Sequence, residues 1–327
     1  MDTSAIIARL SGPLFYPWLS DQRIYWLYLT SALLIAIAAY LVVRRRADRL
    51  QETEGGLLRF LFPSAVFGHR SAWVDYKYFF INRAGFALLV APVLLGTGSV
   101  SDFVATGLKP LLGDGGAARL PQSIDHLFYT VCMVLALDGA LYLGHWLLHK
   151  VPALWEFHKV HHSAQVLTPM TVYRMHPVDD ILMGILAALT IGTADGLFRC
   201  FYETTPTTVM LYNLNIFVFL FYLAGYNLRH SHIWVAYPRA VSHFLISPAQ
   251  HQIHHSSDPA HYDRNLGFIF AFWDWIAGTL YVPKHRETLD LGLSDDEHLA
   301  FDTVWQLYAR PFRVLWRRIR PPEKETP

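Results

Sequence analysis

Twelve of the chain's 17 histidines fall between His145 and His255, and they recur at fixed spacings. His145 and His149 form HxxxH, and His158, His161 and His162 form HxxHH. His251, His254 and His255 repeat HxxHH almost a hundred residues later. On a helix, residues three or four apart share a face, whereas an adjacent residue points to a different quadrant. In each triplet the i and i+3 members are expected to share a face and the third to point elsewhere, so that one triplet can serve two ions. His230, in Arg229-His230-Ser231-His232, stands between the triplets. These nine imidazoles are too many for one ion and suit two. Imidazole binds Fe, Zn, Cu and Ni, so ligand type leaves the metal open. A single helix-end histidine is more often a packed residue than a ligand; two identical triplets reverse that weighting. His176 and His232 are undecided, and His69, His126, His243, His261, His285 and His298 lie outside the patterns and are read as non-ligands.

Ligating imidazoles usually give their second N–H to a carboxylate or carbonyl. Asp138 and Tyr142, seven and three residues before His145, lie on the same helical stripe and are candidates for that supporting role. An ionisable group within an apolar helix is a functional hypothesis by default, although Asp138 could simply pair with a neighbouring helix. Asp179, with Asp180, follows Arg174-Met175-His176-Pro177 and could support a histidine or cap the next helix.

The elements that must position these groups are apolar. Hydrophobic residues make up 53% of the chain and charged residues 16%, an unusual balance for a water-soluble domain. The net charge of +1 argues against nucleic acid as a partner, and with only two cysteines, Cys132 and Cys200, both in apolar stretches, neither a disulfide framework nor a Cys-rich zinc module is indicated. No signal-peptide pattern precedes the first apolar stretch, which is expected to remain in place. A bilayer core needs about 20 apolar helical residues. Residues 24–43 supply them and end at Arg44, Arg45, Arg46 and Arg49, which puts that end on the cytoplasmic side. A second span is expected over 79–100 and a third over 124–148, with the Asp114-Gly115-Gly116 turn between them outside. Stretches 181–201 and 207–226 read as a helical hairpin in which Asp195, Arg199 and Glu203 are tolerable near its far end. Residues 233–246 and 266–280 read as interfacial helices or a cap, and the basic tail from Arg310 as a segment on the lipid surface. This alternation brings every histidine box to one membrane face. The expected fold is an all-α integral membrane bundle of about four to five hydrophobic helices with a cytoplasmic, histidine-rich metal-binding cap. Its parts are an N-terminal membrane region (1–123), the histidine-bearing domain (124–285) and a cytoplasmic tail (286–327).

The ordered set resembles the fatty acid hydroxylase and sterol desaturase superfamily of membrane di-iron enzymes. The resemblance runs through Asp138-xxx-Tyr142-xx-His145-xxx-His149, Trp155-x-Phe157-His158-xx-His161-His162-Ser163, Arg174-x-His176-Pro177 and His230-Ser231-His232. It continues through Ser247-Pro248-xx-His251-xx-His254-His255-Ser256 and Asn265-x-Gly267 to Trp273-Asp274-xxx-Gly278-Thr279, and covers residues 125–282. Residues 62–82 resemble the region preceding this domain in bacterial sterol-desaturase-like proteins, which implies a bacterial inner membrane. By resemblance the nine histidines hold two iron ions, with zinc an alternative in isolated protein. The chain departs from some relatives at Trp234 and Val235, where they carry a further ligand, leaving His232, His176 or a water as the tenth.

The resemblance implies an oxidoreductase that uses O2 to hydroxylate or desaturate a lipid: a sterol, fatty acyl chain, ether lipid, carotenoid or hopanoid. The protein's task is then to orient the lipid and exclude water. No GxGxxG, flavin, haem-attachment or iron–sulfur motif occurs, so a separate reductase, ferredoxin or cytochrome is implied as electron donor. The absence of ExxH pairs disfavours a soluble di-iron carboxylate bundle. A membrane metal transporter or sensor is the alternative, but its histidines would more often sit in mid-span or in a low-complexity loop.

Overall fold

The computed structural model describes residues 10–46, 54–89, 96–112, 121–202, 204–293 and 295–319. The chain is mostly helical, and three helices are long and apolar enough to cross a membrane. The first, α1 (Trp26–Arg44), buries Tyr28, Ala32, Ala36 and Tyr40, a stripe repeating every four residues. Trp26, Leu33, Leu34, Leu41 and Val42 point outward. A helix that is apolar on every side needs an apolar solvent.

The expected span over 79–100 lies only partly within the described residues. It falls on the end of α2 (Arg70–Leu89) and the start of α3 (Thr97–Leu112), with residues 90–95 outside the described residues. Helix α2 carries Asp75, Lys77, Asn82 and Arg83, and it buries Asp75 and Asn82. It serves as an internal strut. The turn at 114–116, Arg49 and Glu203 also lie outside the described residues.

The second spanning helix, α4 (Gln122–Lys150), has 29 residues and is about 43 Å long at 1.5 Å per residue. Pro152 then opens α5 (Pro152–His162), where proline's missing N–H costs nothing. The third, α6 (Pro177–Phe201), starts on Pro177 with His176 as its N-cap. Ala188, Gly192, Gly196 and Cys200 form a buried small-residue stripe on α6, which packs on α3. A Cβ at Gly192 would lie 2.6 Å from Val100 Cβ and 2.7 Å from the Thr97 carbonyl; at Gly196 it would lie 2.7 Å from Val104 Cβ. Small residues at this spacing let the two backbones approach. Gly192→Val is therefore expected to destabilise the protein by about 1–3 kcal/mol through overpacking, seen as a lower thermal unfolding midpoint in detergent. An unchanged midpoint would contradict the close approach.

The charges on α6 are accommodated. Asp195 accepts from Tyr129 and Ser101, and Arg199 pairs with Asp102 at 2.5 Å. The expected second arm, 207–226, is not a full helix. After α6 the chain forms a small antiparallel hairpin, β1 (Met210–Leu211) and β2 (Leu214–Asn215), turning at Tyr212 and Asn213 with φ of 49° and 61°. Val209 N–H donates to Thr130 Oγ1 (2.7 Å), tying the hairpin to the flank of α4. The Asn215 side chain accepts from Phe217 N–H (3.0 Å) and starts the short α7 (Ile216–Leu223). A capping asparagine within the apolar run is what divides it.

Further on, Ser247 and Gln250 form a capping box with Pro248 at the first helical position, which starts α8 (Pro248–His254). The stretches expected as interfacial helices are mostly extended chain around α9 (Phe272–Ala277), joined by a bridge between Leu245 and Phe270. The basic tail is helical as α10 (Val304–Ile319) and docks on α5 and α2: Phe312 packs on Phe157, and Tyr308 donates to Asn82 (3.0 Å). Arg320 lies outside the described residues.

Candidate metal centre

Helices α4, α5 and α8 and the segment after α7 converge at one end of the bundle. There the nine histidines meet in two groups. His145, His149, His158, His162 and His254 offer nitrogens all within 4.8 Å of one another, and so do His161, His230, His251 and His255. His162 and His255 stack with ring centroids 4.8 Å apart, and His161 and His255 lie 4.6 Å apart, so the groups share a wall.

The division of the triplets differs from the helical-face expectation. In both, the i and i+4 members stay together and the i+3 member crosses over: His158 and His162 against His161, His251 and His255 against His254. At about 100° per residue, i+4 lies about 40° from i and i+3 about 60° on the other side. The boundary between groups thus falls between the adjacent pair, and position i joins its nearer neighbour.

Four of the five imidazoles in the first group have a fixed tautomer. His145 Nδ1 bonds the Leu266 carbonyl (2.7 Å), and His254 Nδ1 the Arg264 carbonyl (2.9 Å). His158 Nδ1 meets Asp179 Oδ2 (3.2 Å), and His149 Nδ1 meets Asp263 Oδ1 (3.3 Å). A carbonyl or carboxylate only accepts, so Nδ1 carries the proton and Nε2 presents its lone pair inward. In the second group, His230 Nε2 faces the Nε2 atoms of His251 (3.1 Å), His255 (3.1 Å) and His161 (3.4 Å). Burial, with repulsion among neighbours, holds His158, His161, His162, His230, His251, His254 and His255 well below the usual imidazole value. They are neutral, the form that binds metal. Buried nitrogens such as His149 Nε2, His162 Nε2 and His254 Nε2 have no partner among the described residues. Such atoms are costly to bury unsatisfied, and a cation in the first group would satisfy them, as one among the converging Nε2 atoms of the second group would satisfy those. The donor set therefore fits two metal ions.

Of the expected supporting groups, Asp179 touches a clustered histidine directly. Asp138 does not: it accepts from Ile269 N–H (2.7 Å), Phe270 N–H (3.0 Å) and Trp273 Nε1 (3.0 Å). Seven residues span about 10 Å of helix, so Asp138 shares a face with His145 yet lies out of hydrogen-bonding reach. It fixes the loop whose Leu266 carbonyl does reach His145. Tyr142 contacts Thr279 (3.3 Å), not a histidine. His232 and His176 join neither group. His232 Nε2 bonds the Phe60 carbonyl (2.7 Å), and His176 Nδ1 accepts from Val178 N–H (3.1 Å). His69, His126, His243 and His261 find backbone or carboxylate partners elsewhere.

Sequence reasoning missed Asp263 and the carbonyls of Arg264 and Leu266. Asp263 and Asn265 both adopt positive φ, 58° and 56°, and the Asn265 side chain pins the turn to the Gln250 carbonyl (3.0 Å). An Asp and an Asn two residues apart in a turn were the available signal. Arg229 donates to the Phe268 carbonyl and lies 5.0–5.6 Å from the Phe221, Tyr226 and Phe268 rings, bracing the same loop. A cavity of about 310 Å³ beside His149, Trp155, His162 and His254 opens onto the first group.

Comparison with known proteins agrees with this geometry. The fatty acid hydroxylase family matches residues 130–279. Over 319 residues the chain is 23% identical to an ornithine lipid hydroxylase, OlsE, of Rhizobium tropici, covering 96% of this chain and 83% of that protein. It is 27% identical over 187 residues to a cholesterol 25-hydroxylase of Rattus norvegicus, 56% of each chain. It is 25% identical over 202 residues to a Delta(7)-sterol 5(6)-desaturase of Saccharomyces cerevisiae, 56% of this chain and 49% of that one. The chain thus spans most of the first relative and about half of the other two. No solved structure matches. The segment that matches the fatty acid hydroxylase family, residues 130–279, holds all nine clustered histidines.

Proposed function

We propose that the nine clustered histidines hold two iron ions and that the protein uses O2 to hydroxylate or desaturate a membrane lipid, with electrons from a separate donor protein. The observation that carries this reading is the pair of abutting all-nitrogen groups, five imidazoles and four, at the end of helices that can cross a membrane. Bound iron would supply the O2 activation and electron transfer that no side chain here can. The protein's own part is orientation: the Leu266 and Arg264 carbonyls, Asp179 and Asp263 fix the rings of the first group, and burial keeps competing protons away. The matched relatives are named as both hydroxylases and a desaturase, and both outcomes begin with loss of hydrogen from an unactivated carbon.

A cytoplasmic position for the site is supported by α1. Its basic end, with Arg46, lines a groove with residues 234–236 and 283–286, segments that flank the histidine-bearing turns. Basic helix ends collect on the untranslocated side.

The test is metal content per purified chain, followed by lipid analysis of cells with and without the protein under ¹⁸O2. About two irons per chain with labelled or newly unsaturated lipid supports the proposal. Metal-dependent transport into vesicles with no change in lipids would support the transporter instead. Asp179→Asn is expected to weaken metal binding about 10–100-fold, measured by chelator competition, because the His158 ring loses its carboxylate. Unchanged affinity would remove Asp179 from the supporting set.

A further inference from the structure

Two buried arginines, Arg174 and Arg229, and the half-buried Arg23 lie close to the site, and Arg23 is satisfied differently from the others. Arg174 directs Nε to the Val160 carbonyl (2.9 Å), Nη1 to Asp75 (2.7 Å), and Nη2 to Ser163 (2.9 Å) and the Phe301 carbonyl (3.1 Å). It is a structural staple. Arg229 is taken by the Phe268 carbonyl and three aromatic rings. Arg23, just before α1, has one long bond to the Val172 carbonyl (3.5 Å), lies 5.7 Å from the Phe268 ring centre and touches the Tyr222 hydroxyl. Among the described residues no carboxylate pairs with it; Asp180 is held by Arg83. A guanidinium has five N–H donors, so most of those on Arg23 lack a strong acceptor.

The surroundings of Arg23 are built from three segments that each lead to a histidine. Val172 and Tyr173 follow α5, Tyr222, Tyr226 and Asn227 precede His230, and Phe268 follows the Leu266 carbonyl that bonds His145. The charge of Arg23 reaches His161 and His230. Beside it, the Tyr173 hydroxyl is buried, in a residue only 5% exposed, within reach of the Ile24 backbone N–H and with no side-chain partner among the described residues. Arg23 is half-buried, so part of its side chain remains accessible. An under-satisfied cation beside a hydroxyl whose proton has no side-chain acceptor, in an aromatic wall, matches an anion, because charge-assisted bonds would engage both.

We infer that Arg23, with the Tyr173 and Tyr222 hydroxyls, binds the phosphate or carboxylate of the substrate lipid's head group beside the His161–His230 group. This rests on the lipid-oxidation reading and narrows it. The substrate is an anionic or zwitterionic lipid, and the oxidised carbon is near the head group and not at the far end of a chain.

The test measures binding to full-length, metal-loaded protein in a non-ionic detergent, with radiolabelled dodecyl phosphate, dodecanoate and dodecanol as probes. At least one of the anions is expected to bind tenfold or more tightly than the alcohol. Arg23→Gln should abolish that preference with iron per chain unchanged, Arg23→Lys should keep most of it, and Tyr173→Phe should weaken the anion several-fold. Equal binding of anions and alcohol, or a preference that survives Arg23→Gln, overturns the inference. Inorganic phosphate binding as tightly as dodecyl phosphate also overturns it, because the site would then serve a free anion. If Arg23→Gln does not fold, the lysine and Tyr173→Phe variants decide. Anion preference in a wild type that carries no metal would sink the oxidation reading while leaving the site; a metal-loaded wild type indifferent to charge would do the reverse.

Discussion

Replacing His161 and His254 together by alanine is expected to strip the protein of metal and bring lipid oxidation below detection. His254 belongs to the five-membered group and His161 to the four-membered one, so each single variant should empty its own group first. Losing a partner one step behind a ligand already costs about 10–100-fold in metal affinity. Loss of a ligand itself should cost at least about a hundredfold. Metal analysis of wild type, both single variants and the double variant checks this, with exposed His243→Ala as a control that should keep its full complement. A double variant retaining two metals would mean that these imidazoles are packing residues. Two zinc ions in the wild type would preserve the cage and leave its redox role without support.

Asp75→Ala should be the most destabilising single change away from the histidines. Asp75 and Arg174 pair at 2.7 Å with side chains 0% and 1% exposed, and the same guanidinium joins α2, the end of α5 and Phe301 ahead of α10. Removing one member of such a pair leaves an uncompensated buried charge, at a cost of about 3–5 kcal/mol. The expected result is a large fall in the thermal unfolding midpoint, accompanied by metal loss because α5 carries His158, His161 and His162. The double change Asp75→Leu with Arg174→Met should recover much of the stability, since apolar replacement of both partners is often neutral. A single variant as stable as wild type would show that Arg174 is held by its carbonyl partners alone.

The histidines were legible because helical geometry converts spacing into proximity without tertiary information. HxxxH and HxxHH can act as ligand sets only if their helix ends meet, and the apolar lengths between them are those that bring successive ends to one side. Asp179 was legible for a similar reason, as a carboxylate in the first turn of a helix that starts beside the boxes. Asp138 shows where the reasoning stops. Its face was correct, but its height along α4 matches a loop contributed more than a hundred residues later. The 207–226 stretch was misread because hydropathy registers apolar content but not the Asn215 contact that turns such a stretch into a cap; the 79–100 stretch lies partly outside the described residues.

By itself the sequence determined which nine imidazoles gather into two groups that could hold metal ions, and the three helices long and apolar enough to span a membrane, the third all but its first turn. These follow from residue type, the 3.6-residue period and helix length, which are local quantities. Tertiary structure alone decided which imidazole joins which group, which rings are locked by Leu266, Arg264, Asp179 and Asp263, and that Arg23 has no carboxylate partner among the described residues. Those depend on the relative rotation and height of separate segments, and hydrogen bonds acting over about 3 Å discriminate between arrangements that a spacing pattern treats as equal.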